Sequence, residues 1–290
     1  MHMSKQSNIS LLGLSTWLAA ILVMAAFIWI TGDIIIHGVK NISWEFVTTA
    51  PQQAGRSGGI YPIIISTLWI VGLALAFTLP LGIACALLMN EMDSSHIFTR
   101  VLNVCLDLLA SMPSIVIGLF GNAFFSIALG MGFSILSGAL TLSIMMLPLF
   151  ILSSYNSIRQ IPAQYYQNSF SLKLSKSTLV FRILLPIAMP GIVTGIILCT
   201  GRALAETAAL LFTSGYVTRM PESVFDSGRS MSIHIYDLAM NVPGGNNNSY
   251  TTAFVLIILL LFINSSALRM GKKLGYFDST QDFTWMRRHA

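Results

Sequence analysis

From Val101 to Phe150 the chain runs for fifty residues with a single charged side chain, Asp107. A helix rises about 1.5 Å per residue, so roughly 20 apolar residues cross the ~30 Å hydrocarbon layer of a bilayer. This stretch is therefore long enough for two crossings. Gly130 and Gly132 mark the break between them, predicting helices over about 104–129 and 133–153. Other apolar runs have similar length. Leu11–Ile30, Pro62–Met89 and Thr251–Met270 each read as one span, and another is expected from Pro190, a residue suited to a first helical turn, to about Phe212. Leu11–Ile30 is longer than the apolar core of a signal peptide, and Trp29-Ile30-Thr31-Gly32-Asp33 offers no small-residue cleavage site, so it reads as a retained span.

Composition agrees. The chain is 54% hydrophobic and 9% charged, where a soluble domain carries about 25% charged residues. The expected class is an all-α polytopic membrane protein with six transmembrane helices. The formal net charge of +5 does not point to nucleic acid, because the cations cluster at the ends of apolar runs. Eleven of the sixteen Lys and Arg fall on the side of both termini and of a polar segment at 155–185. Four, Lys40, Arg56, Arg219 and Arg229, fall on the other side, and Arg202 lies within a span. Positive residues favour the cytoplasmic face, which places both termini and the 155–185 loop in the cytoplasm. Cys85, Cys105 and Cys199 lie in apolar segments without metal-ligand spacing, so no disulfide or metal site is expected. Paired catalytic carboxylates and a phosphate-cradling glycine loop are both missing from the sequence. No catalytic constellation appears, so the chain is expected to bind no cofactor itself, and any ATP the protein uses must be bound by another chain.

Two regions carry chemistry. Arg202 lies twelve residues beyond Pro190, or about 18 Å along a continuous helix, and Glu206 follows one turn later on the same face. A lone charge within hydrocarbon is costly, and a pair is less so. A guanidinium offers a planar fork for phosphate or carboxylate oxygens, and a neighbouring carboxylate would keep the anion from binding too tightly to leave. A buried pair fixing helix register is the other reading. Arg229, in an outer loop, is a candidate for attracting anions at the mouth. The second region is the 155–185 segment itself, too long for a tight turn and basic at Lys173, Lys176 and Arg182. Those cations suit a soluble partner or the anionic headgroups of the lipid bilayer. Gly191 and Gly195 form a small-xxx-small pair that lets helices approach closely.

Four stretches resemble the permease subunits of binding-protein-dependent ABC importers, and among them most the PstA-type subunits of phosphate importers. They are Leu79-Pro-Leu-Gly-Ile83; Leu109-Ala-Ser-Met-Pro-Ser-Ile-Val-Ile-Gly-Leu-Phe-Gly121, with its Pro113-Ser114 motif; Ile161-Pro162 through Leu184-Leu185-Pro186 to Gly195; and Arg202-Ala-Leu-Ala-Glu-Thr-Ala-Ala-Leu-Leu-Phe-Thr213. Ser232-Ile-His-Ile-Tyr236 is similar to an outer loop of the family. The likeness implies a type I ABC importer (MetI-like) fold in a bacterial inner membrane. It divides the chain into an N-terminal tail, first helix and outer loop (1–59), a permease core (60–270) and a basic tail (271–290). It also implies a second permease of PstC type, an ATPase dimer of PstB type and an extracytoplasmic phosphate-binding protein.

In that picture Arg202, Glu206 and Thr207 line the path of inorganic phosphate, and the segment around Tyr165, Tyr166, Gln167, Asn168, Ser169 and Lys173 docks on the ATPase. There the chain departs from the family. Gln167-Asn168-Ser169 stands where a Glu-Ala-Ala triplet is usual, and Lys173 where a glycine is usual. A permease for sulfate or molybdate, a self-sufficient secondary anion transporter and a membrane sensor are the alternative readings. An integral-membrane enzyme is the least favoured.

Overall fold

A computed structural model of the protein describes residues 11–92 and 97–274. Its main elements are helices, in order α1 (Leu11–Lys40), α2 (Trp44–Thr48), α3 (Tyr61–Glu91), α4 (Ile97–Ser111), α5 (Ser114–Gly121), α6 (Ile135–Arg159), α7 (Ala163–Ser171), α8 (Lys176–Leu179), α9 (Leu185–Ala205), α10 (Ala208–Leu211), α11 (Met231–Met240) and α12 (Asn246–Leu274). A two-stranded hairpin, β1 (Pro51–Gln52) with β2 (Ser57–Gly58), lies between α2 and α3. Among the described residues five helical stretches are long and apolar enough to cross a membrane, and α4 with α5 makes a sixth if the bent pair is one span. The basic tail expected at 271–290 falls outside the described residues beyond 274.

α6 is the central helix, packed between α3 and α9. Lipid tails are as apolar as the side chains, so helices in a bilayer gain little from burial as such and are held by close contact. Small residues provide that contact here. Phe150 of α6 is fully buried and lies between two glycines, Gly82 of α3 and Gly195 of α9, where an added Cβ would crowd its ring. One turn away, Gly191 lies against Ser157 and would not accept a Cβ, while Ser153 Oγ donates to the Gly191 carbonyl at 3.2 Å. Gly191 and Gly195 thus face α6. Thr78 and Ser143 join α3 to α6 by a buried hydrogen bond of 3.0 Å. α1 is the outlier: it packs against α12, with Gly38 beside Phe254, and is otherwise exposed.

Helix ends differ from expectation in three places. The expected single helix over 104–129 is two helices, α4 and α5, meeting at an angle of 103°. Pro113 is the residue before α5, with the extended backbone (φ −59°, ψ 138°) that ends one helix and starts another, and Ser114 opens α5. α5 continues as a π-helical turn, Asn122–Ala128, and Gly130 and Gly132 then turn the chain in the left-handed region at φ 68° and 61°. The second difference concerns α1, which runs ten residues past Ile30 to Lys40, with Asp33 and His37 paired on its surface at 3.0 Å.

The third is the largest. α9 starts well before Pro190, which lies inside it, and Pro186 is the residue in the first turn. A π-helical turn, Val180–Leu184, joins α9 back to α8, so one continuous span covers Lys176–Ala205. It ends at Ala205 rather than Phe212. Pro190 removes one backbone donor, a loss a membrane helix tolerates when its neighbours pack well.

Candidate functional site

The earlier end of α9 changes the site. Arg202 is in the last turn, where a cation complements the negative end of the helix dipole, not at mid-span. Glu206 has left the helix, with φ −74° and ψ 125°, so the one-turn spacing that would place both side chains on one face no longer applies. Its Oε1 instead accepts the backbone N–H of Ala209 at 3.2 Å, satisfying an orphan donor at the start of α10. Among the described residues, ion pairs join Glu91 to Lys176 and Asp237 to Arg229, and Asp33 contacts the His37 ring; none joins Arg202 to Glu206. Arg202 is exposed on the surface of this chain. Thr207 sits between the two helices, half-buried, and its side chain caps neither.

The break is held from two sides. α10 packs on α5, where Gly118 is so close that an added Cβ would lie 2.6 Å from Ala209 Cα. From the other side, α11 reaches the break through hydroxyl groups. The Ile233 N–H donates to Ser230 Oγ (3.2 Å), and Ser232 Oγ donates to the Glu206 carbonyl. Ser230 and Ser232 are themselves 2.8 Å apart. A hydroxyl has one proton, so the Ser230 proton goes to Ser232, giving one directional chain into the break. Thr67 Oγ1 of α3 accepts the Met231 N–H at 2.9 Å, fixing the same end of α11 to the core.

Arg229 is not a solvated charge at the mouth. It is 9% exposed, donates from its Nε to the Tyr216 carbonyl (3.0 Å), lies over the Tyr216 ring, and pairs with Asp237 Oδ2 at 2.9 Å. A guanidinium only donates, so its 3.4 Å approach to His234 Nδ1 puts the imidazole proton on Nε2, a buried atom with no partner of its own. Burial, with the adjacent Arg229 charge, lowers the His234 pKa to about 3 against the pull of Asp237. The imidazole is therefore neutral at any ordinary pH. Asp237 escaped sequence reasoning. The clue lay in Gly228-Arg229-Ser230 ahead of an apolar run, since Ser230 is the N-cap that turns Arg229 back toward the helix it opens.

At the other end of the span, the 155–185 segment is mostly helix. α6 runs to Arg159, and α7 follows Pro162 as a separate short helix. Tyr165 and Tyr166 are half-buried and pack on the core, and the Tyr166 hydroxyl accepts Asn90 Nδ2 at 3.0 Å, tying α7 to the end of α3. Ser169 is buried, and Gln167 and Asn168 are exposed.

α7 ends with the Leu174 N–H on the Ser169 carbonyl and the Lys173 N–H on the Phe170 carbonyl, both 3.0 Å. This reverse turn requires a left-handed residue, and Lys173 supplies it at φ 51°. The backbone there is what a glycine adopts without strain; a lysine pays roughly 1–2 kcal/mol for it. Sequence reasoning missed Phe170 and Leu172, which are 78% and 70% exposed on and just after α7. Between α7, the end of α3 and residues 174–184 lies a mostly apolar cavity of about 330 Å³, with the Lys176–Glu91 pair among its lining groups.

The sequence pattern of binding-protein-dependent transport system inner membrane components matches residues 78–274. The chain belongs to this family. It is 32% identical over 234 residues to a probable ABC transporter permease, YqgI, of Bacillus subtilis, covering 76% of this chain and 80% of that one. It is 31% identical over 223 residues to the phosphate transport system permease protein PstA 1 of Mycobacterium tuberculosis, covering 74% of this chain and 71% of that one. Among solved structures, the fold resembles a bacterial alginate ABC transporter in complex with its alginate-bound periplasmic protein (TM-score 0.66, 17% identity, 90% of this chain and 96% of that one). It also resembles the MetNI methionine transporter in an inward-facing form (TM-score 0.60, 16% identity, 74% and 95%). The protein is a multi-pass ABC importer permease of the type I fold.

Proposed function

We propose that this permease forms half of the translocation path of an ATP-driven importer for inorganic phosphate, with both termini in the cytoplasm of a bacterial inner membrane. The observation that carries the reading is Arg202. It sits in the last turn of a membrane helix, exposed, with none of the ion pairs among the described residues reaching it. A guanidinium is costly where it faces lipid tails, so water, an anion or a second protein is the surface that suits it. A water-filled path shared with a second permease supplies all three. Relatives described as phosphate transport permeases support phosphate as the anion. Solved neighbours that carry methionine or alginate share the fold, so the substrate is assigned from the site and the relatives rather than from the architecture.

In this reading Arg202 offers its fork to the phosphate oxygens. Glu206, held at the α10 start, lies close along the chain but unpaired with Arg202, and limits how long the anion stays. Thr207 offers a free hydroxyl. α7, with Phe170 and Leu172 outward, docks in a groove of an ATPase subunit. Because α7 is tied to α3 through Tyr166 and Asn90 and leads through the π-helical turn into α9, a shift of the ATPase moves both helices together as a rigid-body switch. Partners of the kinds found with related importers complete the assembly: a second permease, an ATPase dimer and an extracytoplasmic phosphate-binding protein.

The test is uptake of labelled phosphate into vesicles carrying the whole assembly and its binding protein, with sulfate as competitor. Uptake that requires ATP, ignores sulfate and falls more than ~100-fold with Arg202→Ala is expected, a loss in keeping with removing a charge-assisted anion contact. An assembly that hydrolyses ATP but takes up sulfate in place of phosphate would overturn the substrate.

A further inference from the structure

The geometry points to Ser232 and the Arg229–Asp237 ion pair as the positioning residues that set where α9 breaks, and so where Arg202 and Glu206 stand in the path. This inference rests on the phosphate-path reading for its functional half and on contacts within the chain for its structural half.

Nothing in the local sequence stops the helix at Ala205. Arg202-Ala-Leu-Ala-Glu-Thr-Ala-Ala-Leu-Leu contains no glycine or proline, and most of these residues favour helix. A helix continuing through Glu206 would bond the Glu206 carbonyl to the N–H four residues on. Instead that carbonyl receives the Ser232 hydroxyl, at the end of the relay from Ile233 through Ser230. Ser232 is 7% exposed and Ser230 2%, so water does not readily replace either. The break survives because α11 supplies the missing donor.

α11 can do this only if its own position is fixed. Three groups fix it. Thr67 of α3 accepts the Met231 N–H. Arg229 and Asp237 join the residue before the N-cap to the last full turn of the same helix, while the Arg229 Nε and N–H hold the Tyr216 and Val217 carbonyls of the preceding loop. Asp237 Oδ1 also accepts Asn241 Nδ2 at 2.9 Å, so both carboxylate oxygens are engaged. On the outer side, Gly55 of the β1–β2 hairpin lies against His234 and Leu238, and Asn248 donates to the Gly55 and Arg56 carbonyls. Outer hairpin, α11 and the α9 break form one connected unit. A displacement of α11 reaches the anion-facing residues through the Ser232 hydroxyl.

The test uses the complete assembly, with Ser232→Ala, Ser232→Thr and Asp237→Asn. Two readouts are taken: hydrogen–deuterium exchange of the peptide covering 203–211, and the KM and maximal rate of phosphate uptake. Loss of one buried hydrogen bond is worth about tenfold. Ser232→Ala is therefore expected to speed exchange in 203–211 about tenfold and raise KM about tenfold, with the maximal rate within about twofold of the parent. Ser232→Thr, which keeps the hydroxyl, should restore both. Asp237→Asn should speed the same exchange without contacting the peptide.

Exchange in 203–211 that is unchanged by Ser232→Ala overturns the inference, as does a KM that stays put while exchange rises. A fall in maximal rate that only tracks the amount of assembled protein, and that Ser232→Thr fails to rescue, assigns Ser232 to folding and overturns it too. Exchange does not depend on the transported anion. A parent assembly that shows the expected exchange pattern but carries another anion supports the positioning role, with KM then measured for that anion, and overturns only the phosphate assignment.

Discussion

The two ends of the molecule treat their surfaces in opposite ways. At one end, Phe170 of α7 and Leu172 just after it are exposed while the tyrosines of α7 pack inward. At the other end, Arg229, Asp237, His234, Ser230 and Ser232 are turned inward and held by contacts within the chain, with His234 Nε2 alone of their buried side-chain atoms left without a partner. Exposed apolar side chains on a short helix in water are the mark of a surface that another protein covers. A buried ion pair with both carboxylate oxygens engaged is the mark of a part that must hold its shape alone. In the proposed reading, the difference separates where this permease is moved from where it must stay in register.

The contrast breaks most visibly at the outer end. Removing one member of a buried pair strands the other, so Asp237→Ala should destabilise the protein by about 3–5 kcal/mol, read as a lower unfolding temperature in detergent. A loss below about 1 kcal/mol would mean that the pair is solvated and the outer end no more self-contained than the inner. At the docking end the prediction reverses. Phe170→Asp should leave thermal stability within about 0.5 kcal/mol, because the side chain is already exposed. It should nevertheless weaken ATPase association by about 2 kcal/mol, or roughly 30-fold, as loss of an aromatic anchor does. Normal association in a titration of ATPase against the reconstituted permease would remove α7 from the interface. The smallest effect sharpens the comparison: Lys173→Gly should raise stability by about 1 kcal/mol by relieving the left-handed lysine at φ 51°, and an unchanged unfolding temperature would show that no strain is stored there.

The spans were legible because hydrocarbon demands long apolar runs, and Tyr61–Glu91 and Asn246–Leu274 follow the expected Pro62–Met89 and Thr251–Met270 closely. Gly130 and Gly132 gave away their turn through the backbone angles only glycine adopts freely. Three features were hidden. Pro190 looked like a helix start, yet in a packed membrane helix a proline is tolerated inside. The break at Glu206 leaves no local trace, since its causes, Gly118 against Ala209 and Ser232 on the Glu206 carbonyl, come from residues distant in sequence. The assumed Arg202–Glu206 pairing failed with it, because an i, i+4 contact presupposes an unbroken helix. Arg229 was misread for a related reason. Its partner lies eight residues on, and only the folding of α11 brings the two together. The resemblance located the regions; tertiary contacts decided which side chains in them are free.

Arg202 is the side chain on which the account turns. The most direct measurement is the reactivity of Arg202→Cys in the assembled transporter, with Cys85, Cys105 and Cys199 replaced by alanine, toward a small anionic thiol reagent. Only a thiol in water ionises and reacts at a useful rate. Prompt labelling that phosphate slows and sulfate does not is the predicted result. A thiol that stays unmodified in every nucleotide state of the assembly would place position 202 against lipid or a dry subunit contact, and would contradict the translocation path drawn here.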